Sequence, residues 1–116
     1  MNSSALFVIT TDPRISGRPA EAVRIAAGVG VWKKVEVALY LRGAAALLLG
    51  EDTADLIDEE NYTRYLPVLA ESGHPVYVQK GAPELARLGH ASLPFAEITD
   101  AQLADLAASR NCLLRF

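Results

Sequence analysis

The stretch that decides the fold is residues 5–11, Ala-Leu-Phe-Val-Ile-Thr-Thr, which Asp12 and Pro13 follow at once. A continuous apolar run of this length, with β-branched residues and a turn signal at its end, is typical of a strand buried on both faces. Such strands occur inside parallel sheets, whose two faces are covered by helices. We therefore expect the rest of the chain to supply the neighbouring strands and the covering helices.

Strand and helix patterns alternate along the rest of the chain. Further strands are predicted over residues 35–41, 76–79, 95–98 and 112–116. The helices predicted between strands cover residues 18–31, 44–49, 61–72, 82–88 and 99–109. Because right-handed crossovers place helices on the faces of a parallel sheet, this alternation predicts a three-layer α/β/α sandwich with a five-stranded parallel sheet. We expect one domain over residues 1–116, since a chain of 116 residues can form its own core.

Local signals mark the ends of several predicted helices. Thr99 and Gln102 have the spacing of a capping box at the start of the last helix. Asn111 is expected to end that helix in the left-handed conformation. The lysines at 33–34 lie near the end of the first helix, where positive charge is favoured. Pro67 is expected to kink the third helix or to begin its second part.

The composition excludes several classes of protein. The net charge is -3 at neutral pH, so the chain has no basic field for a nucleic acid or for an anionic membrane. Its longest uncharged apolar run, residues 43–50, is far below the roughly 20 residues that a membrane-spanning helix needs. The first residues lack the charged and apolar regions of a signal peptide. We therefore expect a cytoplasmic protein with neither nucleic acid nor membrane as a partner.

Polar residues follow three of the predicted strands, at the edge of the sheet where parallel strands end. Ligands of open α/β sheets bind beyond the carboxyl ends of the strands. The candidate ligand-binding residues at this edge are Asp12, Arg14, Arg42, Gln79, Lys80 and Gly81. They are suited to a small anion, although the first loop lacks the glycine spacing of a phosphate loop. An alternative interpretation is ordinary turn chemistry in the first loop and solvated side chains at the loop tips.

Other residues that could carry chemistry predict no metal, cofactor or hydrolase site. His74 and His90 have no ligand-type partner one helical turn away. The acidic residues 52–60 lack the alternating ligands and the central glycine of a calcium loop. No G-x-S-x-G motif follows a strand. Cys112, the only cysteine, is expected at the opposite edge of the sheet, with no adjacent lysine or histidine to activate it, and we interpret it as structural or incidental.

Several segments carry a resemblance to a known family. They are the opening strand with its Thr-Thr-Asp-Pro turn, the helix 20–30, the strand 35–41 running into Arg-Gly-Ala-Ala-Ala-Leu-Leu-Leu, the strand approach 73–78, and the terminal Cys-Leu-Leu-Arg-Phe. Over essentially its whole length, the chain resembles the DsrE/DsrF/DsrH family of small sulfur-relay proteins. The resemblance implies a five-stranded parallel sheet between helices. It also implies homo-oligomers or hetero-oligomers with sites near the subunit interfaces.

For active members, the resemblance implies a cysteine just after the third strand that carries a persulfide from donor to acceptor. That position falls within residues 79–81, where no cysteine is present. Sulfur transfer requires a thiolate, and neither Gln79 nor Lys80 can hold a sulfane sulfur. The functional residue of the family therefore has no counterpart at this position.

The leading hypothesis for the function is a non-catalytic DsrE-like binding or assembly subunit, associated with intracellular sulfur relay. We expect a homo-oligomer with a protein partner in a sulfur-relay complex, rather than an enzyme. The apolar segment 44–49 also indicates an oligomer, although burial within its own domain explains it equally well. One alternative is a sulfurtransferase or persulfide carrier that acts through Cys112. Another is a small-anion or nucleotide-binding module, for which the candidate residues are Asp12, Arg14, Arg42 and Lys80.

Overall fold

The structure is a computed structural model, and it describes residues 3–32 and 35–116. The predicted position of the two lysines at 33–34 lies outside the described residues. The strands are β1 Ser3–Ile9, β2 Val35–Leu41, β3 Val76–Gln79, β4 Ala96–Ile98 and β5 Cys112–Arg115. The α-helices are α1 Arg18–Gly30, α2 Glu59–Glu71 and α3 Asp100–Ala108, and two 3-10 helices cover Gly43–Leu49 and Pro83–Arg87.

The five strands form one sheet in the order β4-β3-β2-β1-β5, and every neighbouring pair is parallel. β1 lies between β2 and β5, as its continuous apolar run predicts. Phe7 of β1 is in register with Leu39 of β2 and with Leu114 of β5. The predicted three-layer α/β/α fold with a five-stranded parallel sheet is therefore confirmed.

The two faces of the sheet are covered unequally. On the first face, Phe7 and Leu39 belong to a core that includes residues of α1, α2 and the first 3-10 helix, and Leu85 of the second 3-10 helix packs against it. On the second face, Leu6 and Tyr40 pack with residues of α3, the one described helix there. The strand order explains the difference, because the steps from β1 to β4 run in one direction and the step from β4 to β5 runs back. Crossovers of the same hand then place α3 on the opposite face from the earlier helices.

Two of the predicted helices are short 3-10 helices rather than α-helices. Such helices serve as short connectors, and Gly43, which precedes the apolar segment, has a φ of 58° that favours glycine. Within the first of them, Ala45, Ala46, Leu48 and Leu49 are buried in the core of the same chain. The apolar segment 44–49 is thus covered by its own domain, so it provides no support for an oligomer.

Several predicted details of the helices can be compared with the structure. The capping box is confirmed, since the Gln102 backbone N–H donates to Thr99 Oγ1 over 3.2 Å and the Thr99 N–H donates to Gln102 Oε1 over 2.8 Å. Pro67 lies inside α2, so it does not begin a second helix. Buried Leu66 and Leu69 on either side of Pro67 stabilise α2 against the cost of an interior proline.

The prediction that Asn111 ends α3 in the left-handed conformation is wrong. The one described non-glycine residue with a positive φ is Asp58, at 56°. Asn111 instead joins β5 to β1, because its Oδ1 accepts a hydrogen bond from the Ser4 backbone N–H over 2.9 Å and its own N–H donates to Ser4 Oγ over 3.1 Å. These tertiary hydrogen bonds give its amide side chain a partner 107 residues away.

Candidate functional site

The carboxyl ends of the strands carry the residues that the sequence singles out, but those residues lie on two sides of the sheet. Arg14 lines a cavity of about 300 Å³ on the first face, together with Leu47 of the first 3-10 helix and Leu88 just after the second. Arg42 lines a different groove, on the second face. The six candidate residues therefore do not surround one common cavity.

Asp12 and Arg14 form an ion pair within the loop that follows β1. Arg14 Nη2 lies 2.8 Å from Asp12 Oδ2, and Arg14 Nε lies 3.0 Å from Asp12 Oδ1. The backbone N–H of Arg14 also donates to Asp12 Oδ1, over 2.9 Å, as in an Asx turn. The hydrogen bond from Arg14 lowers the pKa of the Asp12 carboxyl and raises the pKa of Arg14. This pair is satisfied within its own turn.

Arg42 follows β2 and connects the buried sheet to the start of α3. Its Nη1 lies 3.0 Å from Asp100 Oδ1 and 3.3 Å from the Tyr40 hydroxyl. The hydrogen bond to Asp100 raises the pKa of Arg42, and burial raises the pKa of Tyr40. These contacts hold the guanidinium at the carboxyl end of the sheet, on its second face, and the Arg42 side chain is 40% exposed.

A groove opens beside these residues, between α3 and the second face of the sheet, and we call it the α3 groove. Its volume is about 390 Å³. Apolar side chains line its length: Val8, Leu103, Ala104, Ala107 and Leu113. Polar and charged groups complete it: Thr10, Tyr40, Arg42, Asp100 and Arg115. The groove thus combines an apolar wall with two guanidinium groups.

The position just after β3 has a structural role in this chain. Gln79 Oε1 accepts a hydrogen bond from the Gly43 backbone N–H over 3.0 Å, which joins the ends of β3 and β2. The Lys80 N–H donates to the carbonyl of Ile98 over 2.9 Å, while the Lys80 side chain is exposed. Gly81 has a φ of 78°, and its N–H donates to Glu97 Oε1 over 3.3 Å. A turn therefore stands where the resemblance implies a reactive cysteine.

Cys112 lies at the other end of the sheet from these loops. It is the first residue of β5 and is in register with Ala5, whereas Arg115 at the end of β5 is in register with Val8. Arg115 lies three residue steps along the strand from Cys112, which corresponds to about 10 Å along the sheet. The thiol is free and exposed.

Sequence reasoning missed several residues of the α3 groove. Asp100 was assigned only to the first turn of the last helix, and Tyr40 was assigned only to a strand. Arg115 ends a parallel strand, so the rule about carboxyl ends could have included it. Leu113 carried no usable signal, because the partial exposure of a strand residue depends on how α3 crosses the sheet.

The described residues contain neither a metal-binding cluster nor a membrane-spanning helix. Among residues 3–32 and 35–116, no three His, Cys, Asp or Glu side chains are grouped so that they could hold a metal ion. Within the same residues, no helix combines the length and the apolar character that crossing a membrane requires.

The chain is similar to a known protein in its three-dimensional structure. No family model matches the chain, and no curated protein matches its sequence. Among solved structures, the chain is similar to the crystal structure of the YchN protein from E. coli, with 21% sequence identity, coverage of 100% of both chains and a TM-score of 0.75. This chain therefore has the fold of YchN, a DsrE-like fold.

Proposed function

We propose that this chain is a non-catalytic DsrE-like binding or assembly subunit that is associated with intracellular sulfur relay. The similarity of fold to YchN supports a relation to DsrE-like proteins. The residues after β3 support a role without sulfur transfer. Gln79, Lys80 and Gly81 stand there, and a glutamine amide, an ammonium group and a glycine cannot accept a sulfane sulfur.

The observation that carries the proposal is the distance between the only thiol and the carboxyl end of the sheet. Cys112 begins β5, whereas Gln79 ends β3, so the two lie at opposite ends of parallel strands. A persulfide carrier has to present its thiolate where a donor and an acceptor can reach it. A thiol at the amino end of an edge strand lies outside the edge where parallel α/β sheets place their ligands.

A persulfide-loading experiment tests this proposal. The protein is incubated with a cysteine desulfurase, cysteine and pyridoxal phosphate, and its intact mass is then measured without reductant. We expect no stable addition of sulfur to the wild-type chain. A persulfide on Cys112 that an acceptor thiol can remove would contradict the proposal.

A second candidate function is that of a persulfide carrier that acts through Cys112. The exposure of this thiol favours it. The substitution Cys112→Ser separates the two candidates. The non-catalytic role predicts no change in the binding of a partner or in sulfur release by the desulfurase. The carrier role predicts complete loss of sulfur transfer from the desulfurase to an acceptor thiol, measured as persulfide formed on that thiol per unit time.

The proposed oligomer has a candidate surface at β5. β5 is an edge strand, and Leu113 and Leu114 are 40% and 37% exposed. Phe116 exchanges hydrogen bonds with Val8 and Thr10 of the β1 side. Since alternate residues of a strand direct their backbone groups to opposite neighbours, the N–H and C=O of Leu113 point away from β1. Exposed apolar edge strands are templates for pairing with another chain, so a second copy fits this edge.

We expect the wild-type protein to be a dimer or larger at high micromolar concentration. The substitution Leu114→Lys should dissociate it to a monomer, because the lysine ammonium would be buried without a partner at the interface. Light scattering coupled to size-exclusion chromatography measures the mass. Ile57→Lys, at a side chain of similar exposure (40%) away from β5, is the matched control and should leave the mass unchanged. A wild-type monomer, or dissociation by the control variant alone, would contradict the assignment to β5.

A further inference from the structure

We infer that the α3 groove binds a monoanionic amphiphile, a carboxylate attached to an apolar chain or ring. The volume of about 390 Å³ falls within the range of sites for small molecules. Such sites combine apolar walls with a few polar groups that orient the ligand. This inference concerns a bound ligand rather than sulfur transfer, so it stands whether or not Cys112 carries a persulfide.

The apolar part of the groove results from incomplete cover by α3. This helix has nine residues, and its Leu103 and Leu106 pack with the core of the second face. Ala104 and Ala107 also line the groove, where their single methyl groups leave room beside the sheet. Leu113 of β5 contributes apolar surface there and is 40% exposed. An apolar ligand body would remove this surface from water, which favours binding.

The charged part of the groove offers donors that the protein leaves free for a ligand. Among the described residues, Arg42 uses only Nη1, for Tyr40 and Asp100, so its Nε and Nη2 have no protein acceptor. The Arg115 guanidinium has no hydrogen-bond or ion-pair partner in the part of the chain that the structure describes. Guanidinium groups present pairs of N–H donors in a geometry that matches a carboxylate.

The balance of charge selects a single negative charge on the ligand. Arg42 and Arg115 are positive and Asp100 is negative, so the charged side chains of the groove sum to one positive charge. A carboxylate neutralises that charge. A dianionic phosphate would add a second negative charge close to Asp100, and this repulsion opposes its binding.

Four probe compounds separate the contributions of charge and apolar body. The wild-type protein is titrated with octanoate, acetate, octanol and octyl phosphate, and binding is followed by calorimetry and by shifts of the backbone amide signals. We expect saturable one-to-one binding of octanoate, with shifts centred on Thr10, Ala104 and Leu113. Acetate lacks the apolar body, octanol lacks the charge and octyl phosphate carries a second charge, so each should bind at least about tenfold more weakly.

Paired variants connect the binding to the groove. Arg115→Gln should weaken octanoate binding by about tenfold, because a charged hydrogen-bond donor is lost. Arg64→Gln removes a charge from α2 on the other side of the sheet and should have no effect. Ala104→Phe fills the groove and should abolish binding, whereas Ala101→Phe, also at an exposed alanine of α3, should retain it.

Two further outcomes decide the inference. Asp100→Asn should narrow the preference for octanoate over octyl phosphate, because the repelling carboxylate is removed. Absence of saturable octanoate binding would overturn the inference, and so would equal losses in Ala104→Phe and Ala101→Phe. Circular dichroism of every variant identifies any variant that does not fold. If Ala104→Phe does not fold, Arg115→Gln still tests the inference, because the exposed Arg115 side chain lies outside both cores.

Discussion

Replacing Phe7 with alanine should lower the free energy of unfolding by about 4 kcal/mol. Phe7 has no exposed surface, and its ring stacks on that of Phe116 with centroids 5.9 Å apart. The alanine loses the transfer free energy of the ring and leaves a cavity between the first face of the sheet and the helices that cover it. Because small domains are stable by only about 5–15 kcal/mol, much of the total would be lost.

Urea unfolding followed by circular dichroism measures this effect. Phe116→Ala is the matched control, since Phe116 supplies the other ring of the stack but is only partly buried at the end of the chain. We expect the control to lower the free energy of unfolding by about 2 kcal/mol or less. Equal destabilisation of the two variants would contradict the expectation that Phe7 contributes more to the first-face core than Phe116 does.

Replacing Tyr62 with phenylalanine should stabilise the protein by about 1 kcal/mol at neutral pH. Tyr62 is 2% exposed, and within the described residues its hydroxyl has no hydrogen-bond partner. A buried hydroxyl without a partner loses its hydrogen bonds to water and gains none in return. Phenylalanine keeps the ring and removes the unsatisfied group.

The advantage of Tyr62→Phe should grow in alkaline solution. Burial raises the pKa of Tyr62 above its usual 10.0, so the folded state keeps the phenolic proton at a pH where the unfolded chain releases it. Below about pH 10, this difference in protonation does not lower the free energy of unfolding of the wild type. Above about pH 10, it lowers that free energy by about 1.4 kcal/mol per pH unit. At about pH 11, the variant should therefore be more stable than the wild type by roughly 2.5 kcal/mol.

Urea unfolding at about pH 7 and about pH 11 measures the change. Tyr65→Phe, at a partly buried tyrosine of the same helix, should alter the free energy of unfolding by less than about 0.5 kcal/mol at about pH 7. Loss of stability in Tyr62→Phe at neutral pH would show that the hydroxyl has a partner in solution.

The secondary structure was predictable where local chemistry decides it. β2 and β3 begin and end at the predicted residues, and the capping box at Thr99 starts α3. Helices were predicted over residues 44–49 and 82–88, and the structure has short 3-10 helices there, over Gly43–Leu49 and Pro83–Arg87. Asn111 was assigned from its local preference for the left-handed conformation. Its side chain instead accepts a hydrogen bond from the backbone N–H of Ser4 at the start of β1, a partner that only the folded chain brings near.

The candidate residues were predictable singly but not as a group. Every parallel strand ends at the same edge, so Arg14, Arg42 and Lys80 could all be assigned to that edge. The sequence does not show on which face of the sheet each loop turns. Arg14 turns back to Asp12 beside the first-face cavity, and Arg42 reaches Asp100 of α3. The pair of Arg14 with Asp12 is local, whereas the pair of Arg42 with Asp100 joins residues 58 positions apart and depends on the tertiary structure.

The sequence by itself determined the class of fold and the absence of a cysteine after β3. Both follow from the order of residues along the chain, since apolar runs specify buried strands and a missing thiol cannot be supplied by folding. Only the tertiary structure decided that α3 crosses the second face and leaves the groove beside Arg42 and Arg115. The reason is that a groove exists only where packing is incomplete, and packing depends on residues from β1, β2, α3 and β5 that meet only in the folded chain.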